Sequence, residues 1–406
     1  MQKNTATAEK VNIEFIALMA SLMAIVALSI DALLPALPDI AKDLGVTDVS
    51  KNQLLITMIF LGLGFGQLIF GPLSDSFGRK PIIYVGFVLF VLASILCVST
   101  SSFELMIVGR ILQGVGLAAP RTISIAMVRD SYSGDYMAKV MSFVVMIFIL
   151  VPVIAPTLGQ FLITFYDWHS IFYVNLIFGL GVMFWFWKKQ PETHLKENRT
   201  KLTPQLFIAG VKEFYTHKDA VAYTIISGLI TGSFMVYLST SQQIFEYQYN
   251  LADLFPYIFA SLAVSVGFAT FLNSALVLRF GMKKIAFTAA ICFSIVSVLY
   301  VILFSSGINP DLSVLVIFFV LQFTAIGFLF GNLRSLAMEP VGHIAGVGAA
   351  VNGFFSTIMA VPIASFIGSF VMESVLPLFI GFSICGIISV ILFLSVRNYT
   401  KTQSPQ

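Results

Sequence analysis

The chain has 406 residues, of which 58% are hydrophobic and only 11% charged. Soluble domains carry about 25% charged residues. With a mean hydropathy of +0.94, the composition excludes a water-soluble enzyme, a nucleic-acid binder and a disordered scaffold. It leaves a polytopic membrane protein, and a net charge of +3 is too small to call for a polyanionic partner.

The first twelve residues are polar. The apolar run from Ile13 to Leu37 is too long for the hydrophobic region of a cleavable signal and has no small-residue cleavage site after it. It reads as a retained span. Stretches of spanning length then recur, which predicts an all-α protein with twelve transmembrane helices at 14–38, 53–73, 81–100, 103–128, 138–164, 168–187, 219–245, 254–278, 284–306, 312–336, 345–373 and 375–396. Their length argues against a barrel, whose strands are about 10 residues long and alternate in polarity. The one long polar interval, 188–218, divides the chain into a six-span half (1–187), a central loop (188–218) and a second six-span half (219–406).

Basic residues fix an expected orientation. With the N-terminus inside, only Lys42 and Lys51 fall in outer segments, and Arg110 and Arg121 fall inside span four. The remaining Lys and Arg lie on the inner side, Arg334 among them, so both termini are expected in the cytoplasm. The central loop, with Lys188, Lys189, Lys196, Arg199 and Lys201, reads as a linker on that face that can touch anionic lipid. Trp168 and the Trp185/Trp187 pair bracket span six as interfacial aromatics. Cys97, Cys292 and Cys385 are separated and read as buried thiols, and the four histidines show no metal-ligand spacing.

The halves repeat. Phe77-Gly78-Arg79-Lys80 after span two is echoed by Phe280-Gly281-Met282-Lys283-Lys284 after span eight, and Val151-Pro152 in span five by Val361-Pro362 in span eleven. Two parallel six-span halves place a substrate site between them near the midplane. Gly62-Leu63-Gly64-Phe65-Gly66 and Gly114-Val115-Gly116 sit inside spans and read as close helix packing, not phosphate loops. No Walker-type loop and no catalytic signature occurs, so the chain is expected to be neither an ATPase nor any other enzyme, and to need no cofactor.

Gly71-Pro72-Leu73-Ser74-Asp75-Ser76-Phe77-Gly78-Arg79-Lys80 resembles the signature loop of the major facilitator superfamily. Its glycines permit a tight turn, and Asp75 can cap the next helix and pair with a base from a neighbouring one. The resemblance implies that Gly71, Asp75, Gly78, Arg79 and Lys80 gate transport by latching the outward-facing state. Arg110-Ile-Leu-Gln113-Gly114 resembles the family's proton-transfer motif. Val151-Pro152-Val-Ile-Ala-Pro156-Thr-Leu-Gly159-Gln160 resembles its antiporter motif, with Ala155 and Gln160 in place of two glycines. That departure, with Asp31-Ala-Leu-Leu-Pro35-Ala-Leu-Pro38 and Ala126-Met-Val-Arg129-Asp130, is similar to the bicyclomycin/chloramphenicol-resistance branch of drug:proton antiporters. The second half adds Ala337-Met338-Glu339-Pro340 and Ala345-Gly346, also typical of that branch. The resemblance implies a bacterial inner-membrane exporter, working as a monomer, with small-molecule drugs and protons as its ligands.

Charged groups inside the membrane are costly and usually functional. Asp31 in the outer half of span one and Arg110 in span four are expected at similar depth on one water-filled face, Asp31 carrying the proton and Arg110 tuning it; the alternative for each is a structural role, Asp31 pinning the Pro-kinked end of span one. Arg121 follows Pro120 and is expected to bind a carbonyl or phosphate at the inner end, or an anionic substrate group. One deep acid favours neutral, zwitterionic or monocationic substrates. Candidate contacts are Asp31, Phe60, Gln113, Met146, Phe234, Tyr237, Gln242 and Tyr257. Gln113, Asn175, Asn273, Asn332 and Asn352 also suit interhelical hydrogen bonding. A dedicated exporter or facilitator of one metabolite, such as a sugar or amino-acid derivative, shares every one of these features.

Overall fold

The computed structural model describes residues 12–403 apart from 47, 133 and 200–203. Every regular element among them is helical. The first part comprises α1 (Ile13–Asp31), the short α2 (Leu37–Asp43) and α3 (Val49–Asn52), α4 (Leu54–Phe77), α5 (Arg79–Ser99), α6 (Phe103–Ser131), α7 (Gly134–Phe165) and α8 (His169–Lys189). After α9 (Pro204–Thr216) come α10 (Lys218–Gln243), α11 (Phe255–Phe280), α12 (Met282–Leu303), α13 (Leu312–Met338), α14 (Ala345–Gly368) and α15 (Leu376–Gln403). Eleven stretches are long and apolar enough to cross a bilayer, and α7 adds the apolar stretch Leu150–Phe165. The expected spans are thus present, with boundaries shifted by a few residues.

Three local features differ from the sequence expectation. The first span is two helices: α1 stops at Asp31, a 3-10 turn covers Leu34–Ala36, and α2 restarts at Leu37. Pro35 and Pro38 have no N–H to continue the α-helical ladder, which is why the break falls there. The central loop contains α9, which is more than a linker. Its Phe214 is buried in a small apolar cluster with Ala220, Val341 and Val351, and Gly210 meets Val347 of α14. Cys292 is exposed, whereas Cys97 and Cys385 are buried.

Helices pack within each part and across the middle. In the first part α4 and α5 flank α6, and α1 packs on α7. In the second, α10 packs on α13, α14 and α15, and α12 lies on α13 and α15. The two parts meet along α4 with α14 and along α7 with α11. Small residues set the closest approaches. A Cβ on Gly62 would strike the Ile111 carbonyl oxygen, and one on Gly114 the Ile59 carbonyl oxygen, so the α4–α6 crossing needs both glycines. The interior amides do what their positions suggest. Asn332 donates to Asn273 at 2.7 Å, and Asn352 to the Thr224 hydroxyl at 2.8 Å.

One end of the bundle, the basic end, carries Arg79, Lys80, Arg129, the central segment, Lys283 and Lys284. At the opposite end, glutamines tie the two parts together. Gln53 Nε2 donates to Gln243 Oε1 at 3.1 Å and to the Gly368 carbonyl at 3.0 Å, and Gln243 Nε2 donates to the Val371 carbonyl at 2.8 Å. Toward the basic end, Arg121 is only half-buried and Arg334 is exposed. Helices α6 and α13 therefore flank a gap that opens at the basic end.

Candidate transport site

Asp31 sits at the last residue of α1, beside the helix break, and is 5% exposed. Its carboxylate has no hydrogen bond or ion pair among the described residues. Tyr237 of α10 reaches it electrostatically from the other half of the molecule. Tyr237 is 2% exposed, and its hydroxyl is buried without a hydrogen-bond partner. The ring is held by Phe259, Phe319 and Phe323, at centroid distances of 5.9, 5.1 and 4.6 Å. An acid of one half and a phenol of the other, neither with a hydrogen-bond partner among the described residues, are thus close enough to interact electrostatically. Gln322 of α13 lies in the same aromatic region of the chain, and both its amide atoms are buried and unpartnered. Sequence reasoning passed over Gln322; its signal was a lone amide in an aromatic run, Phe318-Phe319-Val-Leu-Gln322-Phe323.

Arg110 is placed differently from expectation. It is 1% exposed, so it does not look onto a wet face. It does not pair with Asp31. Its Nε donates to the Leu55 carbonyl at 2.9 Å, Nη1 to Gln113 Oε1 at 2.8 Å and Nη2 to the Ser29 carbonyl at 3.1 Å. Ser29 belongs to the last turn of α1, where carbonyls lack an intrahelical donor. Arg110 therefore caps α1 from a neighbouring helix, two residues before Asp31, and ties α1, α4 and α6 together. Its depth matches that of Asp31, but its partners are oxygens of the fold.

The same network holds Gln113. Its Oε1 accepts from Arg110 and its Nε2 donates to the Ser94 hydroxyl at 2.7 Å, so both ends are occupied. Gln242 is buried and donates to Glu246. Tyr257 is 65% exposed at the start of α11. Phe60 is half-buried against the core. Phe234 is half-buried between the rings of Phe323 and Phe330, which puts it on the Tyr237 face. The Met146 side chain lies outside the described residues.

The antiporter-like segment has a clear local role. α7 runs unbroken through Pro152 and Pro156. A Cβ on Gly159 would strike the Ala32 carbonyl oxygen and come within 3.0 Å of Pro35 Cγ. Gly159 thus lets α7 close onto the break that follows Asp31. Replacing Gly159 with Val is expected to separate α7 from α1, cost about 1–3 kcal/mol or more by overpacking, and lower the unfolding midpoint of the purified protein. An unchanged midpoint would refute this reading of the contact.

The signature loop closes on itself and on the central segment. Gly78 has φ +100° and its counterpart Gly281 has φ +79°, a region that favours glycine. Arg79 Nη1 pairs with Asp75 at 2.5 Å and contacts Ser74 Oγ at 2.8 Å, while its Nε donates to Asp130 at 2.8 Å. Asp75 therefore holds Arg79 of its own loop, and the cap of α5 comes from elsewhere. The Glu192 carboxylate accepts from the Arg79 and Lys80 backbone N–H groups at 2.9 and 3.1 Å, the usual place for a negative charge on a helix. His194 Nε2 lies 3.1 Å from the Asp75 carbonyl, and Thr193 donates to Asp130 at 3.1 Å. No hydrogen bond among the described residues joins this loop to α14.

Eleven helices long and apolar enough to span a bilayer, a further apolar stretch in α7 and buried charged side chains within them fit a multi-pass membrane transporter. The comparisons agree. Residues 19–364 match the Major Facilitator Superfamily, and the chain belongs to that family. It is 31% identical over 377 residues to a bicyclomycin resistance protein homolog of Haemophilus influenzae, covering 91% of this chain and 93% of the relative. It is 26% identical over 381 residues to the multidrug resistance protein MdtL of Klebsiella pneumoniae, covering 90% and 91%. Among solved structures, a D-xylose-proton symporter superposes with a TM-score of 0.72 at 14% identity, over 94% of this chain and 96% of that one. At that identity the likeness speaks for the fold alone.

Proposed function

We propose that this chain is a proton-coupled multidrug exporter of the bacterial inner membrane, acting as a monomer with both termini in the cytoplasm. It exchanges a small amphipathic drug for protons by alternating access, residues 1–187 and 219–406 moving as two bodies about the central segment. The observation that carries this reading is Asp31: a buried carboxylate with no partner among the described residues, at the break of α1, within electrostatic reach of Tyr237 of the second half. No basic group among the described residues holds it as a permanent ion pair, so it is free to load and release a proton as water reaches it from either side. Phe60, Phe234 and Tyr237 give the apolar and aromatic wall that such drugs need. The names of the relatives, bicyclomycin resistance and multidrug resistance, point the same way. The basic end is the cytoplasmic one by the distribution of Lys and Arg, so the conformation described is open to the cytoplasm. The loop 71–80 is then a latch in its released state, stored on Asp130 and Glu192.

The test is transport into proteoliposomes under an imposed pH gradient, with the membrane potential clamped and a panel of neutral and monocationic antibiotics as cargo. Uphill accumulation that stops when the gradient is dissipated supports the exporter. Movement that merely equilibrates, with or without the gradient, makes the protein a facilitator and removes the proton role from Asp31.

A further inference from the structure

One cluster plays no part in the proton site. Arg121 of α6 and Arg334 of α13 come from opposite halves toward the basic end, near enough for their charges to act on each other. Arg334 lies in the last two turns of α13. Neither guanidinium has a hydrogen bond or ion pair among the described residues. The Arg334 Nη2 atom lies 4.0 Å from where a Cβ of Gly353 would stand, and the Gln67 amide of α4 occupies the same spot. Gln67 is 93% buried by its 7% exposure, and its amide also has no partner among the described residues. Gly353 leaves room there that any side chain would take from Gln67.

We infer that Gln67, Arg121 and Arg334 form an anion-binding site in the cytoplasmic half of the cavity, for the carboxylate of an anionic or zwitterionic ligand. Two guanidinium groups near each other repel, and no acidic side chain among the described residues compensates them. A carboxylate does so with paired, charge-assisted hydrogen bonds, for which the guanidinium fork is shaped. The Gln67 amide supplies a neutral donor beside them. The charge also bears on the cycle. Closing the basic end draws α6 toward α13, so an anion between the two arginines favours closure. This inference names part of the substrate class and so rests on the transporter reading above.

The test is ligand binding without any gradient. The full chain is purified into phosphatidylcholine nanodiscs, and its unfolding midpoint is followed with rising sodium benzoate, with benzamide as the neutral isostere and sodium chloride matching ionic strength. A saturable rise with benzoate and none with benzamide is expected. Arg121→Gln and Arg334→Gln should each weaken the apparent benzoate affinity about tenfold or more, with Arg→Lys at either position falling between. If a Gln variant fails to fold, the Lys variant decides. Absence of a benzoate effect, an equal effect of benzamide, or an unchanged response in the variants would overturn the site. Loss of the benzoate response on adding phosphatidylglycerol would assign the cluster to a lipid headgroup and overturn the ligand assignment. Because no proton gradient is involved, failed antiport with intact benzoate binding rejects only the exporter reading, and the converse rejects only this site.

Discussion

Asp31→Asn is expected to abolish uphill transport while leaving drug binding and downhill exchange in place. The asparagine amide keeps the size and hydrogen-bonding capacity of the carboxyl group but cannot give up a proton in the working range. The size of the effect is set by thermodynamics. One pH unit is worth about 1.4 kcal/mol per proton, a drug gradient of about tenfold for each proton exchanged. Wild-type proteoliposomes holding a neutral drug should approach that limit with the potential clamped. The variant should show no accumulation at any imposed gradient. The fold should tolerate the change, because Asp31 has no ion pair or hydrogen bond to lose among the described residues. Retained accumulation in Asp31→Asn would move the proton to another group and leave Asp31 as part of the α1 break. Loss of binding together with transport would instead make the carboxylate a drug contact.

The spans were legible because membrane insertion writes itself into local composition. The stretch 53–73 became Leu54–Phe77, and 312–336 became Leu312–Met338. Glycine motifs were legible for a similar reason, since Gly62 and Gly114 can only be explained by backbones in contact. The signature loop announced its turn through Gly78. What stayed hidden was long-range pairing. Glu192 caps α5 from 113 residues away, and Gln53 meets Gln243 across 190 residues, and neither side chain differs in sequence from an ordinary surface residue. The acceptors of Arg110 are mainly backbone carbonyls, which carry no side-chain signal at all. A charge in a span suggests another charge as its partner, and that expectation failed where a helix end was the better acceptor. The α1 break was half visible: Pro35 and Pro38 were noticed, but a kink and a full restart of the helix have the same sequence signature. Helix α9 was readable and was missed. Phe207, Val211 and Phe214 recur at helical spacing within 188–218, yet the surrounding charges made the segment look like a linker.

Arg110 separates two accounts of the proton site, and Arg110→Lys is the decisive variant. Were Arg110 a remote electrostatic tuner of Asp31, a lysine of the same charge at the same depth would preserve coupling. The structure assigns it another task. Three donors on one planar group reach Leu55, Gln113 and Ser29, and a single ammonium on a different stem cannot hold all three in place. Arg110→Lys is therefore expected to lose part of the network and Arg110→Leu all of it. The full loss strands Gln113 Oε1 and two buried carbonyl lone pairs and should cost about 3–5 kcal/mol. Unfolding midpoints should fall in the order wild type, Lys, Leu. Proton-driven accumulation should fall in Arg110→Lys as well, because α1 loses the cap that fixes Asp31 beside Tyr237. If Arg110→Lys keeps both its midpoint and its accumulation, charge alone is what matters at this position, and the capping geometry is incidental. If the midpoint falls while accumulation per proton is unchanged, Arg110 supports the bundle without placing Asp31. Only joint loss identifies it as the residue that positions the proton carrier.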